Sequence, residues 1–162
     1  MENVTSVRKI RMIGWIAVGI TALLFAAMFW QIDDWGRDWT QNSASLDPNA
    51  DRPELRPLQL PTDVDETLQR IREFCQRNQE WGIVSVDERG ETPLHVHLTR
   101  TTLLFRFVDD VEVTITELPG DQGVTVQAES RSRVGKGDLG QNPRNLAQLT
   151  RGLARDGVQD DS

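Results

Sequence analysis

One cysteine in 162 residues, Cys75, rules out an internal disulfide and any Cys-x-x-Cys redox or zinc pair. Histidine is nearly as scarce. His95 and His97 share one stretch, and no third histidine exists to complete a metal shell with them. Basic residues are outnumbered, 18 Lys and Arg against 25 Asp and Glu, for a formal charge of −7. The chain therefore lacks the broad basic surface that nucleic acid requires. It also has no P-loop, no Ser/His/Asp elbow and no internal repeat, and nothing in it calls for a cofactor.

Apolar length is concentrated at one end. Met12 to Ile32 is 21 residues without a charge. As a helix at about 1.5 Å per residue it reaches roughly 31 Å, enough for a bilayer core. Trp15 and Trp30 mark its ends and Trp35 and Trp39 follow, as in an interfacial aromatic belt. The run is longer than a signal-peptide core and no Ala-x-Ala-like cleavage site follows. Its hydrophobicity surrounds the helix rather than forming one stripe. Arg8, Lys9 and Arg11 precede it, whereas Asp33, Asp34 and Asp38 follow. The expectation is a single uncleaved span in the cytoplasmic (inner) membrane. Residues 1–11 stay inside, and the C-terminal part is extracytoplasmic, in the periplasm of a diderm bacterium.

Residues 33–61 read as an extended linker, with Pro48, Pro53, Pro57 and Pro61 spaced through polar sequence. A domain over 62–155 follows, then a polar tail over 156–162. The domain opens on a helix with Thr62 or Asp63 as N-cap. Val64, Leu68, Ile71, Cys75 and Asn78 form its stripe with Phe74 alongside, and Gly82 is its stop. Four strands are expected next: Gly82–Glu88, one around Leu94, Val96 and Leu98, one over Phe105–Ile115, and one around Val124, Val126 and Ala128. Their alternation fits an antiparallel meander covered on one face. A last helix runs from Pro143 to Arg155 with Asn142 as N-cap. The fold class is α+β: a transmembrane helix, then helix, four-stranded antiparallel meander, helix.

Two separated motifs carry a resemblance. Phe105-Arg-Phe-Val-Asp-Asp-Val-Glu112 has the form Phe-x-Asp-Asp-x-Glu. Ser130 to Asn145 contains Ser-Arg-x-Gly-x-x-Asp-Leu-Gly-x-Asn. Together, over Leu60 to Leu153, they resemble the bacterial and plastid family catalogued as domain of unknown function 1499. The resemblance implies a domain boundary and no reaction.

Gly135-Lys-Gly-Asp-Leu-Gly140 spells the dinucleotide fingerprint. The chain ends one helix later, without the second parallel strand that carries the ribose ligand, so no nucleotide site is expected. Backbone donors and Lys136 at a helix start leave an anion contact as a lesser reading. Arg131, Arg133, Lys136, Gly137, Asp138 and Asn142 are the candidate contact residues. Pairing the last two strands so that paired numbers sum to 241 sets Ile115 against Val126 and Asp110 against Arg131. Arg106, Asp110, Glu112 and Arg131 then form a cross-strand ion network. Asp109 has the parity of the apolar face, and either a bulge re-aims it or it is buried. His95-Val-His97 puts two imidazoles on the polar face. The leading functional reading is a non-catalytic, membrane-anchored module that binds a protein or lipid partner outside the cytoplasm. A structural subunit of a larger membrane assembly is one alternative, with Ala22 and Ala26 at helix-packing spacing. A hydrolase or metalloenzyme using His95, His97 and Asp109/Asp110 is the other.

Overall fold

A computed structural model describes residues 12, 14–23, 42–87, 93–102, 106–120, 122–134 and 140–155. The chain divides into two compact units, Met1–Trp35 and Gly36–Ser162.

In the first unit residues 14–23 are helical and every one is exposed, Trp15 at 74% and Leu23 at 72%. Thr21 donates its hydroxyl to the Ala17 carbonyl at 2.9 Å, which satisfies this polar group within the helix. Among the described residues no helix is long and apolar enough to cross a membrane. Residues 13 and 24–32 of the expected span lie outside the described residues, as do the flanking charges over 1–11 and 33–38.

The second unit is α+β, but its antiparallel sheet has six strands, not the expected four. The two additions come from the segment read as a linker. β1 (Ser43–Ser45) and β2 (Leu58–Leu60) both pair antiparallel with the last strand, and a 3-10 turn over Pro53–Leu55 lies between them. Leu46 and Leu60 are core residues at 3% and 5% exposure. The prolines do not make this segment a spacer. Pro53 starts the 3-10 turn, where its missing N–H costs nothing.

Helix α1 (Val64–Arg77) is capped by Asp63, whose carboxylate accepts the Glu66 N–H at 2.7 Å. It buries Thr67, Leu68, Ile71 and Phe74, while Cys75 is half-buried. Gly82 is not its stop. The helix ends at Asn78, whose Nδ2 donates to the Phe74 carbonyl at 2.7 Å, and Gly82 lies inside the next strand.

The meander follows as β3 (Trp81–Asp87), β4 (Leu94–Thr101), β5 (Val108–Glu117) and β6 (Val124–Ser132). The sum-of-241 register is the one found: Ile115 pairs with Val126, Val113 with Ala128, and Asp110 with Arg131. Val96, Leu98, Val111, Val113, Ile115, Val124 and Val126 all point to one face, each at 1% exposure or less. Alternation in the sequence thus becomes one buried and one open face. Helix α2 (Gln141–Arg155) covers the buried face together with α1, contributing Leu146, Leu149 and Leu153. It begins before Pro143, so Asn142 is not an N-cap. Asn142 is a fully buried residue of the first turn, and Gly140 precedes the helix at φ 74.

Candidate functional site

The open face gathers most of the chemistry-bearing side chains. Cross-strand register explains who meets whom. His97 stands opposite Glu112, and Thr99 opposite Asp110, so His97 and Asp110 are diagonal neighbours. His97 Nε2 lies 2.8 Å from Asp110 Oδ1 and 3.7 Å from Glu112 Oε1. From the other side Arg133 donates to both oxygens of Asp110, Nη2 to Oδ1 at 2.6 Å and Nε to Oδ2 at 2.8 Å. This forked contact lowers the Asp110 pKa from 3.8 to about 2, with His97 adding to the effect against the opposing cost of burial. Asp110 in turn raises the pKa of Arg133.

The ion pairs differ from those the sequence implies. Arg131 is opposite Asp110 in register, yet its guanidinium goes to Glu129 at 3.1 Å on its own strand. Asp110 is held by Arg133 and His97 instead of Arg131 or Arg106. Arg106 precedes β5 at φ 53, with its N–H donating to the Thr102 carbonyl at 3.0 Å. Glu112 faces Glu129 directly across β5 and β6, and both are exposed. Two like charges in directly opposed positions work against the pairing. His95 is separate from this cluster, with its Nδ1 3.2 Å from the Thr114 hydroxyl. Among the described residues no group of three or more His, Cys, Asp or Glu side chains is arranged to hold a metal ion.

Asp109 faces the other way. It needs no bulge: β5 runs in regular register, and the Asp109 carboxyl is buried between sheet and helix at 2% exposure. It accepts from Ser132 Oγ at 2.7 Å and from Asn145 Nδ2 at 2.9 Å. Asn145 also reaches Ser130 Oγ at 3.1 Å, and Ser130 donates to Asn142 Oδ1 at 2.7 Å. Asn142 Nδ2 closes the set on the Asn42 carbonyl at 2.7 Å. Five buried polar side chains thus satisfy one another and tie β5, β6 and α2 to the chain entering β1. Asn142 belongs to this joint, not to a contact surface. Lys136, Gly137 and Asp138 lie outside the described residues. The only signal in the sequence that these groups meet Asp109 is that Ser130 and Ser132 fall on the buried parity of their strand; Asn145, on α2, carries none.

A six-stranded antiparallel sheet backed by two helices, with an ionic open face and a polar joint beneath it, defines a small α+β domain. Residues 37–153 match the family described as a protein of unknown function, DUF1499, and the chain belongs to that family. The match begins ahead of β1, consistent with β1 and β2 being integral to the domain. No curated protein and no solved structure matches the chain.

Proposed function

We propose that this DUF1499 protein is a membrane-anchored, extracytoplasmic binding module without catalytic activity, and that it takes a protein partner on the open face of its sheet. The anchor reading rests on the uncharged run Met12 to Ile32, of which residues 14–23 are helical with apolar side chains exposed on every side. Such a helix is stable in lipid and costly in water. The binding reading rests on Glu112 and Glu129. Their direct opposition is offset only in part, by Arg131 on Glu129 at 3.1 Å and His97 at 3.7 Å from Glu112, and a further basic group from a partner relieves it. Arg131, on the same strand as Glu129, supplies the opposite charge beside them.

The enzymatic alternative is less well supported. Asp109 is buried beneath the face opposite His95 and His97, and the Asp110 carboxylate is committed to Arg133. A structural subunit of a membrane assembly remains the other alternative, and would be bound through the apolar run.

The test has two arms. A C-terminal alkaline phosphatase fusion should be active, and a C-terminal fluorescent fusion that needs the cytoplasm should be dark. Glu112→Gln with Glu129→Gln should leave the protein folded yet reduce the partner recovered in mild detergent. Undiminished recovery, together with loss of the cellular phenotype in His97→Ala, would replace binding by an active site. Recovery abolished by changes at Ala22 and Ala26 alone would favour the subunit reading.

A further inference from the structure

Three arginines from the two helices wall one cavity on the covered side of the domain, well apart from the open face. The cavity has a volume of about 390 Å³ and is lined by Phe74, Arg77 and Asn78 of α1 and its cap, and by Gln148, Arg151, Gly152 and Arg155 of α2. Arg151 and Arg155 are one turn apart, so they project from the same face of α2. Arg77 is the last residue of α1.

The cavity has a fixed floor. The Phe74 ring is buried at 2% exposure and meets Trp81 edge-on, with centroids 5.1 Å apart. The backbone of α2 lies directly on that ring at Gly152, where an added Cβ would stand 2.4 Å from Phe74 Cδ2. Gln148 spans to α1, donating to Asn78 Oδ1 at 3.5 Å and to Glu80 Oε1 at 3.1 Å. The contact with Gln148 is the leading reason the Glu80 pKa is lowered. Arg77 Nη1 lies 3.8 Å from Glu73 Oε2, with both side chains about half exposed. Arg151 is held along the helix by its Nε bond to the Ala147 carbonyl at 2.9 Å.

Cations near helix C-termini complement the macrodipole, which accounts for each arginine singly. It does not account for three of them around one walled cavity in a chain of net charge −7. We propose that this cavity is a phosphate-binding site. Guanidinium forks match phosphate oxygens in pairs, and three forks suit a terminal phosphate monoester better than a two-oxygen carboxylate. The volume falls within the range of small-molecule sites, roughly 300–1,000 Å³. The phosphate belongs either to a lipid headgroup or to a soluble ester. The proposal is independent of the partner reading for the open face.

The test is calorimetric titration of the full chain in maltoside micelles with inorganic phosphate, glycerol 3-phosphate and short-chain phosphatidic acid. Saturable binding of inorganic phosphate is expected. Arg151→Gln should weaken it by about tenfold or more, a loss of ~1.4 kcal/mol. Arg77→Gln, Arg151→Gln and Arg155→Gln together should abolish it, while the variant still melts cooperatively in the absence of phosphate. Arg151→Lys should fall between, because the charge is kept and the fork is lost. Tighter binding of phosphatidic acid than of glycerol 3-phosphate assigns the site to lipid, and the reverse order assigns it to a soluble ester. Equal affinity in the triple variant, or no saturable response to any of the three probes, overturns the proposal. Changes at Glu112 and Glu129 leave these affinities unaltered, so the two readings fail separately.

Discussion

Asp109 and Asp110 are neighbours in the chain and lie on opposite faces of β5. One carboxyl is buried against Ser132 and Asn145, and the other is gripped by Arg133 and His97 on the open face. The pair divides the labour of the domain between internal joint and outer surface.

The outer half of that pair predicts a specific coupling. A double-mutant cycle of Asp110→Asn with Arg133→Gln should give favourable coupling, kept small by solvent screening of the exposed guanidinium. The same cycle with Arg131→Gln should give less, since Arg131 is engaged by Glu129. Equal couplings measured by chemical denaturation would contradict the observed pairing.

Acid should act on the same contact. The Asp110 pKa is depressed from 3.8 to about 2 in the folded protein. Its contribution to stability is therefore complete above pH 3.8 and is lost as pH falls from there through about 2. Denaturation at closely spaced pH values should show a loss in this window that is smaller in Arg133→Gln. An identical acid slope in that variant would remove Arg133 as the cause.

Breaking the inner half should cost more. Asn145→Ala leaves Asp109 Oδ2 and Ser130 Oγ short of a partner in a buried setting, for about 1–3 kcal/mol. Ser132→Ala removes a donor to Asp109 Oδ1 and should fall in the same range. Neither change alters the open face, so a thermal melt reads the effect. A stability equal to the parent's would mean the joint is not coupled to folding.

Gly152 should invert a familiar rule. Gly→Ala inside a helix ordinarily stabilises by roughly 0.5–1 kcal/mol. Here the new Cβ meets the Phe74 ring at 2.4 Å, and Phe74 is held in turn by Trp81. Destabilisation of about 1–3 kcal/mol is expected, as in overpacked cores. A stabilised Gly152→Ala protein would show that the helices separate freely.

Cys75 should be a slow thiol. Burial raises its pKa from 9.0 to about 11, which leaves roughly a hundredfold less thiolate at neutral pH. Alkylation of the native protein should lag far behind alkylation in denaturant, and comparable rates would place the thiol at the surface.

Much of the domain was legible because burial writes itself into spacing. Val111, Val113 and Ile115 against Val124, Val126 and Ala128 fixed both the strands and their register. Asp63 and Glu66 marked the start of α1. β1 and β2 were not legible, since three-residue strands are too short to display a period and four prolines in this stretch argue for extended chain. Their apolar anchors, Leu46, Leu58 and Leu60, were the available signal. Asn142 was misread for a related reason: an asparagine ahead of a proline marks a helix start in sequence, whereas here tertiary hydrogen bonds claim its side chain inside the first turn. The phosphate cavity had no signature at all, because Arg77 and Arg151 lie far apart in sequence and meet only once α1 packs on α2.

The strand that first joins the sheet holds it by only three residues. Any pull transmitted along the chain from the N-terminal side reaches the sheet at Ser43–Ser45, three residues laid on β6 and backed by Leu46 and the Asn42–Asn142 bond. β2 fastens to the far part of β6 by a separate three-residue patch, and the 3-10 turn between the two is pinned to α2 by the Thr150 hydroxyl on the Glu54 carbonyl at 2.7 Å. Loaded from that end, the domain behaves as a seam with two stitches. The first stitch is locked to α2 through Asn142 and the second through Thr150, so neither opens without drawing on the helix that covers the core.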